Sequence, residues 1–216
     1  MVAVVRTHTF EQRDLIGGHV VLDLVNTVTA RNAEPVDWID GYPRLLQWAA
    51  LTGRFAAADL TALQHLAQTD PGTAAQVLDL TRELREALHD LITALILHDA
   101  PAPAEAVSQV EGHWKRAAAG ARLTVHGDTP RVQVGVETSG LEYLNHELAL
   151  QAVDLLRALP LERTRICPGQ RCGWVFIDSS RGGRRRWCDM ATCGNAAKGR
   201  THYQRKKQTA RQLGDR

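Results

Sequence analysis

Hydrophobic positions in the first 160 residues recur mostly at helical spacing. Leu45, Leu46, Trp48 and Ala49 fall on one face of a helix predicted over residues 40–51, with Gly53 as its stop signal. Residues 57–68 read as a second helix. Val77, Leu80, Leu84, Leu88, Leu91 and Leu95 then mark one long helix over residues 74–97, opened by the capping pattern Thr73-x-x-Gln76. Pro101 and Pro103 punctuate its end. Pro103 suits the first turn of a further helix, whose Val107, Val110 and Trp114 share a face. Between residues 121 and 136 the period drops to two. Leu123 and Val125, then Val132, Val134 and Val136, alternate with polar residues around the turn formers Gly127-Asp128-Thr129-Pro130, which predicts a β-hairpin. Ser139-x-x-Glu142 caps a last helix carrying Leu141, Leu144, Leu148, Ala152, Leu155 and Leu159, and Pro160 ends it. The apolar run over residues 15–28 is ambiguous. Its β-branched residues suit a buried strand, whereas its length favours a helix.

After Pro160 the pattern changes. Cys167-x4-Cys172 and, after a gap of 15 residues, Cys188-x4-Cys193 form two close pairs set among turn formers: Cys167-Pro168-Gly169, Cys172-Gly173 and Cys193-Gly194-Asn195. Two pairs on short loops can enclose one tetrahedral metal ion, and four thiolates suit structural Zn2+ with no coordination position left for water. Cys-x2-Cys beside a βαβ pattern, the usual redox arrangement, is not present. Between the pairs, the β-prone run Trp174-Val175-Phe176-Ile177-Asp178, then Gly182-Gly183 and Arg184-Arg185-Arg186-Trp187, predict a hairpin. Residues 196–208 have helical composition. The fold class expected is α+β, mostly α: a helical domain with one β-hairpin (residues 1–160), then a small treble-clef-like zinc finger (161–216).

Charge separates the same two parts. The net charge of the 216-residue chain is only +2, but residues 161–216 hold 14 Lys and Arg against 4 Asp and Glu, leaving the first 160 residues net acidic. A basic segment of this kind attracts polyanions, of which nucleic acid is the commonest in a cytoplasm. Residues 1–6 lack the pattern of a signal peptide, and residues 91–97, the most apolar stretch, are far too short to span a bilayer. These features predict a cytoplasmic protein with no membrane partner, whose thiols stay reduced.

The candidate nucleic-acid contacts are Arg184, Arg185 and Arg186 from the hairpin and Lys198, Arg200, His202, Arg205 and Lys206 from the C-terminal helix. Lys198, His202 and Arg205 lie at i, i+4 and i+7, on one helical face. Such residues read guanine in a major groove or hold phosphates, and spacing does not separate the two roles. Trp174 and Trp187 either stack on unpaired bases, as in RNA recognition, or fill the miniature core of the finger. The scarcity of other large apolar residues favours the second.

The run Cys188-Asp189-Met190-Ala191-Thr192-Cys193-Gly194-Asn195-Ala196-Ala197-Lys198-Gly199-Arg200-Thr201-His202-Tyr203 resembles the signature of the CGNR zinc-finger proteins. Cys172 to Asp178 and Arg185-Arg186-Trp187 resemble that family too. The first part of the chain is similar to the ABATE domain through Gly17-Gly18, Leu22 to Thr27, Arg31, Pro35, Asp37 and Tyr42 to Trp48. The resemblance implies a bacterial, stress-related transcription regulator whose finger binds DNA. One residue departs from the signature: Ala196 stands where the family has its eponymous Arg.

A regulator needs an input. Asn26, Thr27 and Arg31, polar groups in an apolar segment, and Trp48 are candidates to line a small-molecule effector site; the alternative is that they satisfy loops and fill core. The Leu-rich helices are candidates for a homodimer face. The leading expectation is a DNA-binding regulator with a helical sensing domain. The competing ones are an RNA-binding protein and an adaptor that docks its basic finger on an acidic protein. Motifs for phosphate loops, nucleophile elbows, metalloproteases or dinucleotide sites are absent from the sequence.

Overall fold

The computed structural model describes residues 3–98 and 101–214, apart from the side chains of His126 and residues 205–214. The elements run β1 (Val4–Val5), α1 (Val20–Val25), β2 (Val28–Thr29), β3 (Val36–Asp37), α2 (Tyr42–Thr52), α3 (Ala57–Thr69), α4 (Pro71–Leu97), α5 (Ala104–Gly120), β4 (Arg122–His126), β5 (Thr129–Gln133), α6 (Val136–Ser139), α7 (Tyr143–Ala158), β6 (Thr164–Ile166), β7 (Val175–Ile177) and α8 (Asn195–Gly214). The long α4 is the spine, in contact with α1, α2, α3, α5 and α7. The short α1 is buried on nearly every side through Val20, Val21, Leu22, Leu24 and Val25. A small sheet of order β1-β3-β2 places Val28 opposite Asp37 beside it.

Most predicted helices form, because their apolar stripes meet one core. Leu45, Leu46, Trp48 and Ala49 of α2 are buried, and Gly53 ends the helix at φ 64°. The 15–28 run yields only the six residues of α1 and then β2. Gly17-Gly18 breaks it at the front, with Gly18 at φ 84°, and His19 caps α1 by accepting the N–H of Val21.

Four local expectations are corrected. The cap of α4 is Asp70, which accepts the N–H of Thr73 at 2.9 Å, so the helix starts at Pro71, three residues earlier than expected. On α5 the buried stripe is Ala106, Val110, His113 and Ala117, while Val107 and Trp114 are exposed. His113 takes an interior position there because Asn145 and Arg116 hydrogen-bond its ring. Ser139 does not cap α7. A 3-10 turn over Gly140–Glu142 intervenes, and the Ser139 hydroxyl pairs with His146 Nδ1. The β4–β5 hairpin forms, with Leu123 opposite Val132, but its turn is tighter than expected: Thr129 and Pro130 already pair in β5, which ends at Gln133, and Val136 starts α6.

Candidate metal centre and nucleic-acid interface

The finger starts from β6 and β7, an antiparallel pair with Thr164 opposite Ile177 and Ile166 opposite Val175. The first cysteine pair sits on the loop that joins them. The N–H of Cys167 reaches Trp174 O, and that of Cys172 reaches Gly169 O. This corrects the expected hairpin around Gly182-Gly183: Val175–Ile177 pairs backward with β6, and Arg184 to Trp187 form no strand. Asp178 decides the alternative. Its carboxylate accepts the N–H of Ser180 and of Arg185, which folds the segment into a loop where ladder bonds would otherwise form.

The second cysteine pair opens the last helix. Asp189 accepts the N–H of Thr192, a wide turn over Met190–Gly194 carries Cys193, and α8 continues from it. The positive end of a helix thus lies next to a sulfur, which favours the thiolate.

All four Sγ atoms lie within 4.8 Å of one another. Cys172 and Cys188 are 3.5 Å apart, and Cys188 and Cys193 3.7 Å. Tetrahedral zinc with Zn–S near 2.3 Å needs sulfurs about 3.8 Å apart. Hydrogen bonds from Cys172 and Cys188 pull the Cys167 thiol well below its usual range. The same contacts push Cys172 and Cys188 up, and burial pushes Cys193 up. Four thiolates this close, three of them buried, would repel one another, and a divalent cation at their centre removes that conflict. Gly169 leaves the necessary room: a Cβ there would come within 2.8 Å of Cys193 Sγ. The donor set, spacing and cradle all fit structural Zn2+, with Cys167, Cys172, Cys188 and Cys193 as its ligands.

A model of the family described as "Putative stress-induced transcription regulator" (ABATE) matches residues 18–159, and a CGNR zinc-finger model matches residues 163–206. The chain belongs to the ABATE family. No curated protein matches it. Its family models are of the regulator and zinc-finger kinds, and among the described residues no helix is long and apolar enough to cross a membrane.

In this ABATE chain the finger is docked on the helical body. Asn26 donates to Val175 O and accepts the N–H of Val175, both at 2.8 Å, so its amide copies a neighbouring strand. Asn32 does the same at the metal loop, donating to Gly169 O and accepting the N–H of Cys172. The N–H of Arg31 reaches Cys172 O, and Ile177 N–H reaches Gly17 O. Gly173, at φ 76°, lets the loop come this close, since a Cβ there would stand 3.0 Å from that of Arg31. Val175 is part of the body's own core. Cys167, Cys172, Trp174, Phe176 and Cys188 make a second, small core against which Trp38 packs.

The four proposed effector contacts are thus committed elsewhere. Asn26 holds the finger. Thr27 donates to Leu24 O and accepts from Arg85. Arg31 pairs with Glu86 at 2.7 Å, and Trp48 lies fully buried in the body core. The structure joins Thr27 and Arg31, but through partners that sequence reasoning missed. Arg85, itself buried, makes a two-pronged pair with buried Asp37 (2.7 and 2.9 Å) and meets Glu86 at 2.8 Å. Burial alone would raise the Glu86 pKa; the hydrogen bond and charge of Arg31, then Arg85, hold it at about 2. Nothing at the level of residue types separates Arg85 from an ordinary surface arginine, and its position on the buried stripe of α4 is the one available signal.

Of the nucleic-acid candidates, Arg184, Arg186, Lys198 and His202 are exposed and Arg200 is half-buried. Arg185 differs. Its guanidinium bonds Trp187 O and Cys188 O and lies 4.5 Å over the Phe176 ring, so it holds the metal loop together. The side chains of Arg205 and Lys206 lie outside the described residues. Trp174 is buried and meets Trp38 edge-on at 5.5 Å, the core role favoured above.

Proposed function

We propose that this ABATE chain is a cytoplasmic DNA-binding transcription regulator, in which the zinc finger is the output and the helical body the sensing half. One observation carries the reading. A 20-residue helix leaves the metal cradle with Lys198 and His202 exposed near its start, and Arg184 and Arg186 are exposed on the segment that leads into the second cysteine pair. A basic helix fixed at one end by a metal site is suited to lie in a major groove, its cations shared between phosphates and base edges. The RNA alternative loses a stacking platform, because Trp174 is interior and Arg186 lies 5.1 Å over the Trp187 ring. Docking on an acidic protein remains a reading that the same charges serve.

Selection of zinc-loaded protein on random duplex DNA near physiological salt tests the proposal. The expected result is one enriched motif. Lys198→Ala should weaken binding and lower the salt slope by about one ion per lost phosphate contact. A folded, zinc-bound protein that enriches no motif and prefers RNA or an acidic protein would overturn it.

A further inference from the structure

Away from the finger, a cavity of about 590 Å³ opens where the start of α2 meets the end of α3 and the first half of α4. Its size is that of a small-molecule site. Tyr42, Pro43, Leu46, Ala74 and Leu78 form an apolar wall, and the small side chains of Ala67 and Ala75 keep it open. One end is polar, with Asp40, Asp79 and Arg82.

The charges at that end are unevenly used. Arg82 is largely engaged: Nη1 donates to Asp79 at 3.0 Å, Nη2 donates to Ile39 O at 2.7 Å, and Nε lies 3.4 Å from Asp37, buried and without a hydrogen bond of its own. Asp79 is largely exposed and gives Arg82 one oxygen only. Asp40 accepts from Thr7 at 2.7 Å and more weakly from Arg44. The spare capacity is therefore for accepting hydrogen bonds and for positive charge. A carboxylate head would meet two carboxylates there and one guanidinium whose charge is already paired with Asp37 and Asp79.

We infer that this cavity binds a small hydrophobic amine, its apolar body against Leu46, Ala75 and Leu78 and its ammonium on Asp79. The inference deepens the reading of the body as the sensing half and rests on that reading for its regulatory meaning. The route to the finger is contiguous. Arg82 faces Asp37, Asp37 pairs with Arg85, Arg85 with Glu86, Glu86 with Arg31, and the N–H of Arg31 holds Cys172 O at the metal loop. An ammonium on Asp79 competes with Arg82 at the first link of this series.

Calorimetric titration of the full zinc-loaded chain with 4-phenylbutylamine tests the site, with 4-phenylbutyrate as the matched anion. The expected result is saturable one-to-one binding of the amine, at least about tenfold tighter than the acid. Ala75→Trp should abolish it by filling the cavity, and Gln68→Trp, from the opposite rim, should do the same. Both positions are exposed or on the rim, so the fold should tolerate them, which melting curves check. Asp79→Asn should weaken the amine about tenfold and leave the acid unweakened. Absence of saturable amine binding, equal affinity for the acid, or binding indifferent to both tryptophans would overturn the inference. DNA affinity measured with and without the amine addresses the sensing reading separately: an amine that binds without changing it keeps the cavity and removes the sensor.

Discussion

The body and the finger hold themselves together in different ways. The body has a continuous apolar core that runs from α1 through α2, α4 and α7, with Trp48, Leu22, Leu84, Leu88 and Leu148 fully buried. The finger has a handful of side chains, three of them cysteines. Too little apolar surface is buried there to order 50-odd residues against their conformational entropy. The difference shows what the metal is for, and it also shows that the finger has two halves. Its first half, β6 and β7, borrows the body through Asn26, Asn32 and Val175. Among the described residues, its second half, from Cys188 into α8, has mainly the sulfur cluster and the Arg185 contacts to hold it.

The largest expected effect comes from breaking the metal centre. Cys188→Ser, or a strong chelator, should release the second half, because structural zinc supplies on the order of 10 kcal/mol to folds of this kind. The body and the β6–β7 pair should persist. Hydrogen exchange should then show α8 amides losing protection while α4 and β7 keep theirs. Uniform loss across the chain would erase the contrast between the halves. Asn26→Ala comes next. It leaves both peptide groups of Val175 buried and unpaired, at roughly 1–3 kcal/mol each, and should loosen β7 even with zinc bound. Chemical denaturation followed at Trp174 checks it.

Gly173→Ala should cost about 1–3 kcal/mol, since it forces a side chain into the left-handed region and against Arg31. The loss should appear both in melting temperature and in zinc affinity, measured by chelator competition. The smallest effect concerns Asp23, whose carboxylate accepts the N–H of Gly17, the residue that receives Ile177 N–H of β7. Burial raises its pKa from 3.8 to about 6. The folded state thus binds a proton that the unfolded chain has already lost between about pH 4 and 6, and this group's contribution to stability falls as pH rises through that window. Asp23→Asn keeps the acceptor and removes the charge. It should stabilise the protein by about 1 kcal/mol at pH 7 and leave it unchanged near pH 4, as melting curves at the two values would show.

The sequence by itself determined the helices with strong apolar stripes, the β4–β5 hairpin, the two close cysteine pairs of the metal cradle and the basic final helix. Each depends on local periodicity, turn chemistry or the fixed coordination habits of one ion. Only the tertiary structure decided which strand β7 pairs with, since Asp178 and the body's Asn26 outweighed the local hairpin signal of Gly182-Gly183. Only it turned Arg185 inward and Arg184 outward within one run of three arginines. Asn26 and Arg31, read along the chain as candidate effector contacts, became the seam that joins body to finger, because Asn26 meets Val175, 149 residues away, and the N–H of Arg31 meets Cys172 O at the metal loop. A hydrogen bond or a charge pair across such distances leaves no periodicity in sequence. It exists only once the helices have packed and brought both partners out of water together.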